Sequence, residues 1–147
     1  MSIKELDLGQ WRVALSHDGR WIVNMSFHHI QVWRVTEIMT MTNEWGIENE
    51  VWSLALLHDG SCVVIGCGDG SIHIWNHLTN TVECQMSGHS GYVWCVAISY
   101  NGSYVVSASS NMTVQIWDCH TRTQNQVALY QHSRQVLLGI SRFSLTF

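Results

Sequence analysis

Histidines and cysteines are the residues of this 147-residue chain that could bind a metal or act as nucleophiles. His73 and His77 have the four-residue spacing that would bring two metal ligands together on a helix. The sequence around them, however, runs from a strand-like segment into a turn. His28 and His29 are adjacent, and adjacent side chains diverge on an extended chain. We therefore expect no metal ion at either pair.

Motifs for covalent or phosphate chemistry are lacking as well. Serine, histidine and aspartate are plentiful, but the sequence has no strained nucleophile turn and no Gly-rich phosphate loop. The five cysteines include no C-x-x-C pair. Residues 1–7 have mixed charges and no apolar h-region, so we expect no signal peptide. Without a secretory signal, we expect the cysteines to be reduced and structural. We predict a cytoplasmic protein, with a nuclear location as an alternative, that is not an enzyme and has no catalytic residue, cofactor or metal.

The composition is poor in charge. Apolar residues make up 46% of the chain and charged residues only 12%, with a net charge of −4. The sequence has no basic run, which argues against nucleic acid and anionic membranes as partners. It also has no stretch of about 18 apolar residues, the length that spans a bilayer. Elements with so little charge are either buried on both faces or offer apolar surface to a partner.

Three tryptophans indicate an internal repeat. Trp33, Trp75 and Trp117 lie at intervals of 42 residues, and each ends a short β-branched run. Periods of 40 to 45 residues are typical of repeat architectures. Turn pairs of the Asp-Gly or Asn-Gly type recur in the same register at 18–19, 59–60 and 101–102, and such pairs favour tight hairpins.

Each repeat contains four strand-like segments and no helical period. The first two segments are apolar on both faces, which suits strands that lie between neighbouring sheets. The third ends in the repeated tryptophan, and the fourth is the most polar, as an edge strand should be. Apart from the third segments, the predicted strands are 11–15, 21–23 and 37–41 in the first repeat, 51–56, 62–65 and 81–86 in the second, and 93–98, 104–106 and 124–129 in the third.

The repeats resemble those of the WD-repeat β-propeller family over about 130 of the 147 positions. The third repeat has the family's Gly-His pair at Gly88 and His89 and its Trp-Asp ending at Trp117 and Asp118. The resemblance implies an all-β partial propeller, an open arc of three four-stranded antiparallel blades plus a C-terminal strand of a fourth. The chain would be a single propeller segment, residues 1–147, with repeats at about 10–45, 46–87 and 88–131 and a partial repeat at 132–147.

The family's repeat often contains a hydrogen-bonded set of His, Ser or Thr, Asp and Trp, in which a buried indole N–H and a buried imidazole find partners. No repeat here has the complete set, so we expect lower stability than in a regular member. Asn111→Asp should then raise the melting temperature. The positions that the resemblance assigns are His89, Ser107 or Ser109, Asn111 and Trp117 in the third repeat, Asp69 and Trp75 in the second, where Ile47 replaces the His, and Trp33 alone in the first.

The resemblance also implies a function, because WD-repeat propellers usually bind other proteins through the loops at one end and act as scaffolds or adaptors. The alternative is a ligand-sensing C-terminal repeat region of a larger signalling protein with a nucleotide-binding domain. Trp45, in the predicted linker 43–46, either forms an exposed contact or folds over the top of the blade. The candidate partner-binding residues are Trp45, Glu50, Asp69, Tyr92, Ser110 and Gln135.

The number of repeats is too small for a closed ring, because propellers have four to eight blades. An open arc would expose an apolar sheet face at each end, and the first strand is as apolar as the internal ones. Either two or more copies complete the ring by self-association, or neighbouring blades of a larger propeller cover these faces. Because the fourth repeat breaks off early, we favour a segment of a larger propeller.

Overall fold

The computed structural model describes residues 12–26 and 28–129, and these residues form twelve strands. They form three four-stranded antiparallel sheets, in the orders β1-β2-β3-β4, β5-β6-β7-β8 and β9-β10-β11-β12, named blades 1, 2 and 3. The strands are β1 Arg12–Leu15, β2 Trp21–Ser26, β3 His29–Arg34, β4 Thr40–Gly46, β5 Val51–Leu56, β6 Cys62–Cys67, β7 Ser71–Asn76, β8 Thr81–Ser87, β9 Val93–Ile98, β10 Tyr104–Ser109, β11 Thr113–Asp118 and β12 Thr123–Leu129.

This architecture confirms the predicted all-β fold and its three four-stranded blades. The described residues contain no helix, and the three sheets do not close into a ring. The predicted strand of a fourth repeat, within 132–147, lies outside the described residues.

The tight turns between the first and second strands of each blade follow from their sequence. Gly60, for example, has a φ of +75°, which residues with a side chain rarely adopt. The preceding Asp59 accepts a hydrogen bond from the Ser61 N–H at 2.9 Å and so closes the turn. The corresponding glycines in the other two blades, Gly19 and Gly102, also have positive φ angles.

The fourth strand of the first repeat was predicted wrongly, at 37–41. Residues 36–38 instead form a bend in which Thr36 Oγ1 accepts a hydrogen bond from the Ile38 N–H. The strand therefore begins only at Thr40 and continues through Trp45 to Gly46. Segment 43–46 is part of β4, paired with β3, rather than a linker.

The core lies between neighbouring blades rather than inside one sheet. All six residues of β6 are buried, and their side chains alternate between two clusters. Val63 and Ile65 belong to the cluster shared with blade 1, whereas Val64 belongs to the cluster shared with blade 3. Burial on both faces explains why these strands lack the apolar–polar alternation of a sheet with one wet face.

The antiparallel order also defines two ends of the arc. The turns between the first and second strands and between the third and fourth strands lie at one end, called the lower end. The turns between the second and third strands and the connections between blades lie at the other, called the upper end. The upper-end loops of the described part include 47–50, 68–70, 88–92 and 110–112.

Candidate functional site

Blade 3 contains a continuous chain of hydrogen bonds around a buried histidine. Trp117 Nε1 donates to Ser107 Oγ at 2.8 Å, and Ser107 Oγ lies 2.7 Å from His89 Nε2. On the other side of the ring, His89 Nδ1 lies 3.0 Å from Thr113 Oγ1, which donates to Asn111 Oδ1 at 2.6 Å. Because Thr113 uses its proton on Asn111, it must accept from His89 Nδ1–H. His89 Nε2 is then the acceptor for the Ser107 hydroxyl.

Burial keeps this imidazole neutral. His89 is 6% exposed, and desolvation lowers its pKa from 6.5 to about 4. A neutral ring is what the hydrogen bonds require, since a protonated Nε2 could not accept from Ser107. The sequence left Ser107 and Ser109 as alternatives for this contact, and the structure places Ser107 between His89 and Trp117.

Blade 2 has only half of such a set. Asp69 Oδ1 accepts from both the backbone N–H and the hydroxyl of Ser71, and Ser71 Oγ lies 3.1 Å from His73 Nε2. Burial acts to raise the pKa of Asp69, but the hydrogen bonds from Ser71 outweigh it and the pKa is lowered. Ile65 occupies the strand position that Ser107 has in blade 3, so the chain of hydrogen bonds does not extend to Trp75 through this strand.

Blade 1 has a partner for its tryptophan that the sequence did not reveal. Trp33 Nε1 donates to Asn24 Oδ1 at 2.6 Å. Asn24 is 2% exposed and has the same place in β2 as Ser107 has in β10. The sequence assigned Trp33 neither of the family's usual partners, and the structure shows this amide as its acceptor. An asparagine that directly follows three apolar residues of β2, in register with Ser107, was the signal that could have identified it.

Trp45 is not an exposed linker residue. It lies in β4, is half-buried, and packs against blade 2, with its ring 5.4 Å from that of Trp75 and 5.8 Å from that of His73. The side chain therefore belongs to the packing between blades 1 and 2. Of the two alternatives for Trp45, the structure favours a ring folded onto the blade.

The exposed aromatic feature of the upper end is instead a stack of Trp52 and Tyr92. Their ring centroids lie 4.6 Å apart at an interplanar angle of 11°, and the side chains come from neighbouring blades. Trp52 is 37% exposed and Tyr92 44%. Stacked aromatic rings with this exposure can supply the large aromatic contacts that are common at protein interfaces. In the sequence, Trp52 lies 42 residues before Trp94, and this spacing alone does not reveal that the Trp52 ring is exposed.

Polar groups surround this stack. The Gly68 N–H donates to the Glu50 carbonyl at 2.8 Å, and a β-carbon at Gly68 would lie 3.1 Å from Trp52 Nε1. Asp69 follows directly in the sequence and accepts from Asn49 Nδ2 at 2.8 Å through Oδ2.

Four of the six candidate partner-binding residues thus lie at the upper end around Trp52. The Ser110 N–H donates to the Tyr92 carbonyl at 3.0 Å, which joins Ser110 to the stack. Gln135 lies outside the described residues. We call the following residues the upper-end patch: Glu50, Trp52, Asp69, Tyr92 and Ser110.

His73 and His77, which were considered for metal binding, have other partners. His73 contacts Ser71, and His77 Nε2 is hydrogen-bonded to the Gly60 carbonyl oxygen. Among residues 12–26 and 28–129, no three His, Cys, Asp or Glu side chains converge into a group that could hold a metal ion. The same part of the chain contains no helix with the length and apolar character needed to cross a membrane.

Three cysteines line a cavity of about 470 Å³ between blades 2 and 3 at the lower end, but they are weak nucleophiles. Burial raises the pKa of Cys62 and of Cys119 to about 11, and it raises the pKa of Cys84 as well. At neutral pH these side chains are thiols rather than the reactive thiolates. All five cysteines of the chain are free of disulfide bonds.

Comparison with known families agrees with this architecture. The model of the WD domain, G-beta repeat family matches residues 37–76 and 80–118, which is more than half of the chain. The repeat boundaries proposed above remain predictions. No curated protein sequence matches the chain. WD40 repeats generally mediate protein–protein interactions, and the family is typically non-catalytic. The match, the three antiparallel blades and the hydrogen-bonded set of His89, Ser107 and Trp117 agree, and the chain therefore belongs to the WD40-repeat family.

Proposed function

We propose that this chain is a non-catalytic protein–protein interaction module of the scaffold or adaptor type, and that its partner binds at the upper-end patch. The observation that supports this is the exposed stack of Trp52 and Tyr92. Exposing two large aromatic side chains to water is unfavourable unless a partner covers them, and aromatic residues dominate the binding energy of protein interfaces.

The distribution of charge suggests the chemistry of that partner. The upper-end loops contain three acidic side chains, all exposed or half-exposed: Glu48, Glu50 and Asp69. The three arginine side chains that the structure describes, Arg20, Arg34 and Arg122, lie in or beside lower-end turns. An acidic rim around aromatic rings favours a basic segment, because Lys and Arg gain both ionic and cation–π contacts there.

The cellular location is part of the same proposal. Five free cysteines are compatible with a reducing compartment. We therefore propose that the module acts in the cytoplasm, with the nucleus as the alternative.

A selection with a library of random short peptides tests the proposed surface on the full chain. We expect enriched peptides to contain Lys or Arg and to lose about 30-fold in affinity with Trp52→Ala or Tyr92→Ala, which corresponds to about 2 kcal/mol. Glu50→Lys should weaken binding most strongly at low salt.

Tyr100→Ala is the matched control, because Tyr100 is an exposed tyrosine at the lower end. It should leave peptide affinity unchanged. If the selected peptides bind equally well to wild type, Trp52→Ala and Tyr92→Ala, the upper-end patch is not the binding surface and the proposal fails.

A further inference from the structure

The lower end of the arc is filled differently at its two internal blade interfaces. Between blades 1 and 2, three side chains meet there: Trp21 and Asn43 of blade 1 and His77 of blade 2. The Trp21 and His77 rings lie edge to face, with their centroids 4.8 Å apart. Asn43 Nδ2 donates to the His77 carbonyl oxygen at 2.8 Å. An indole and an imidazole ring thus occupy this interface.

Both ring-bearing residues have cysteine counterparts between blades 2 and 3. Cys62 is the first residue of β6, as Trp21 is of β2. Cys119 directly follows β11, as His77 directly follows β7, and the two backbone N–H groups donate to equivalent serine carbonyls. Because a thiol is far smaller than an indole or an imidazole ring, these exchanges remove the rings that fill the first interface.

The third residue is exchanged in the same way, and a cavity results. Cys84 pairs with the residue before the repeated tryptophan, as Asn43 does in blade 1. Leu57 has the place of Ser16 and fills part of the space, since its Cδ1 would lie 3.2 Å from a β-carbon at Gly102. A volume of about 470 Å³ remains, lined by the three cysteines and by Gly102 among others. Ligand sites in proteins have volumes of this order.

The walls of the cavity define the chemistry of a ligand. In the filled interface, His77 Nε2 is hydrogen-bonded to the carbonyl oxygen of Gly60. Gly102 is the counterpart of Gly60 in blade 3 and lines the cavity. Sulfur atoms are polarizable and pack favourably against aromatic rings. Arg122 and Glu83 also line the cavity; a guanidinium group attracts the face of an aromatic ring, and a carboxylate disfavours an anionic ligand.

From these observations we infer that the cavity between blades 2 and 3 binds a small, neutral, planar aromatic heterocycle with a ring N–H. The ligand takes the place that an indole and an imidazole side chain have between blades 1 and 2. Its ring packs against the thiols of Cys62, Cys84 and Cys119, and its N–H donates to the Gly102 carbonyl oxygen. Indole has this shape and this donor. The site is separate from the upper-end patch and does not depend on the function proposed for it.

Equilibrium dialysis of the full chain against indole tests the inference. We expect saturable binding of one indole per chain. Indene has nearly the same shape but no N–H, so it should bind about fivefold more weakly. No saturable binding of indole up to its solubility limit would overturn the inference. Equal affinities for indole and indene would overturn the assignment of a ligand with a ring N–H.

Cys62→Trp tests the location, because it introduces the side chain that fills the other interface. It should lower the affinity for indole at least about tenfold. Leu78→Trp is the matched control: Leu78 is 61% exposed in a lower-end turn, so the same new side chain should leave the affinity unchanged there. If Cys62→Trp binds indole as tightly as wild type does, the ligand lies elsewhere and the inference is wrong.

Alkylation of the wild-type thiols gives a second measure of the location. Cys119 and Cys95 are both half-buried, but of these two only Cys119 lines the cavity. Saturating indole should slow the reaction of Cys119 with iodoacetamide, followed by mass spectrometry, and leave that of Cys95 unchanged. Should circular dichroism show that Cys62→Trp does not fold, this comparison decides. An unchanged rate at Cys119, or equal slowing at both cysteines, would overturn the inference.

Discussion

Protonation of His89 should destabilise this protein between about pH 6.5 and pH 4. Its two ring nitrogens bind the hydroxyls of Ser107 and Thr113 at 2.7 and 3.0 Å, and Nε2 can accept only while the ring is neutral. Burial lowers the pKa of His89 from 6.5 to about 4. The unfolded chain therefore takes up a proton at a pH at which the folded chain does not. The stability contributed by the neutral ring is complete above pH 6.5 and is lost as the pH falls toward 4.

The pKa difference sets the size of this effect. Going from 6.5 to about 4 corresponds to about 3 kcal/mol of unfolding free energy, at about 1.4 kcal/mol per pH unit. About 2 kcal/mol of this should be lost between about pH 7 and about pH 4.5. That is a substantial share of the roughly 5 to 15 kcal/mol by which folded domains are stable.

Urea unfolding of wild type and His89→Gln at these two pH values measures the effect. Glutamine can form hydrogen bonds but does not titrate, so the stability difference between the two proteins should shrink by about 2 kcal/mol on acidification. Asp69 and Asp118 also have lowered pKa values and add to acid sensitivity, but their contribution is common to both proteins. His120→Gln, at an exposed histidine of blade 3, is the control. A stability difference that does not change with pH would refute the reasoning.

Three further substitutions test the polar sets and the turns. Asn111→Asp should raise the melting temperature by a few degrees, because a carboxylate accepts the two hydrogen bonds from residue 113 more strongly; no change or a fall in a thermal melt would contradict the role assigned to Asn111. Asn24→Leu should lower the unfolding free energy by about 1 to 3 kcal/mol in urea titrations, since it leaves the Trp33 N–H without its acceptor, and an unchanged value would show that this bond contributes nothing. Gly70→Ala should destabilise by more than about 1 kcal/mol, because φ is +87° and the new β-carbon would collide with a backbone carbonyl oxygen of the next blade. Gly19→Ala has a similar φ but open space around it, so equal thermal shifts for both variants would exclude the collision as the cause.

Local sequence was sufficient for most of the strands and for all three blades. The Asp-Gly and Asn-Gly pairs specify their own turns, and the apolar runs beside them form the first two strands of each blade. The fourth strand of blade 1 was misplaced because its start depends on the bend at 36–38, and the spacing of the repeats does not reveal the length of a connection. Because of this error, Trp45 was predicted to lie in a linker, where it could be exposed. In the structure Trp45 is part of β4 and its ring packs against that of Trp75.

The sequence predicted which residue types form the hydrogen-bonded sets around the tryptophans, but not which individual side chains bond to each other. Ser107 and Ser109 lie on the same face of one strand. Only their position along that strand, relative to Trp117, decides which hydroxyl accepts a hydrogen bond from the indole N–H. Asn24 was missed because an amide replaces the hydroxyl at that position, although both groups offer the acceptor that an indole N–H needs.

The sequence by itself determined the fold of this protein, because a period of 42 residues, three hairpin turns and strands that are apolar on both faces are compatible with little other than stacked four-stranded blades. The tertiary structure decided which side chains meet. Trp52 and Tyr92 are far apart along the chain, and their stack exists because two separate blades bring their upper ends together. The exposure of Val13 and Leu15 is likewise a property of the assembled arc, since the same apolar strand pattern is buried wherever a neighbouring blade covers it.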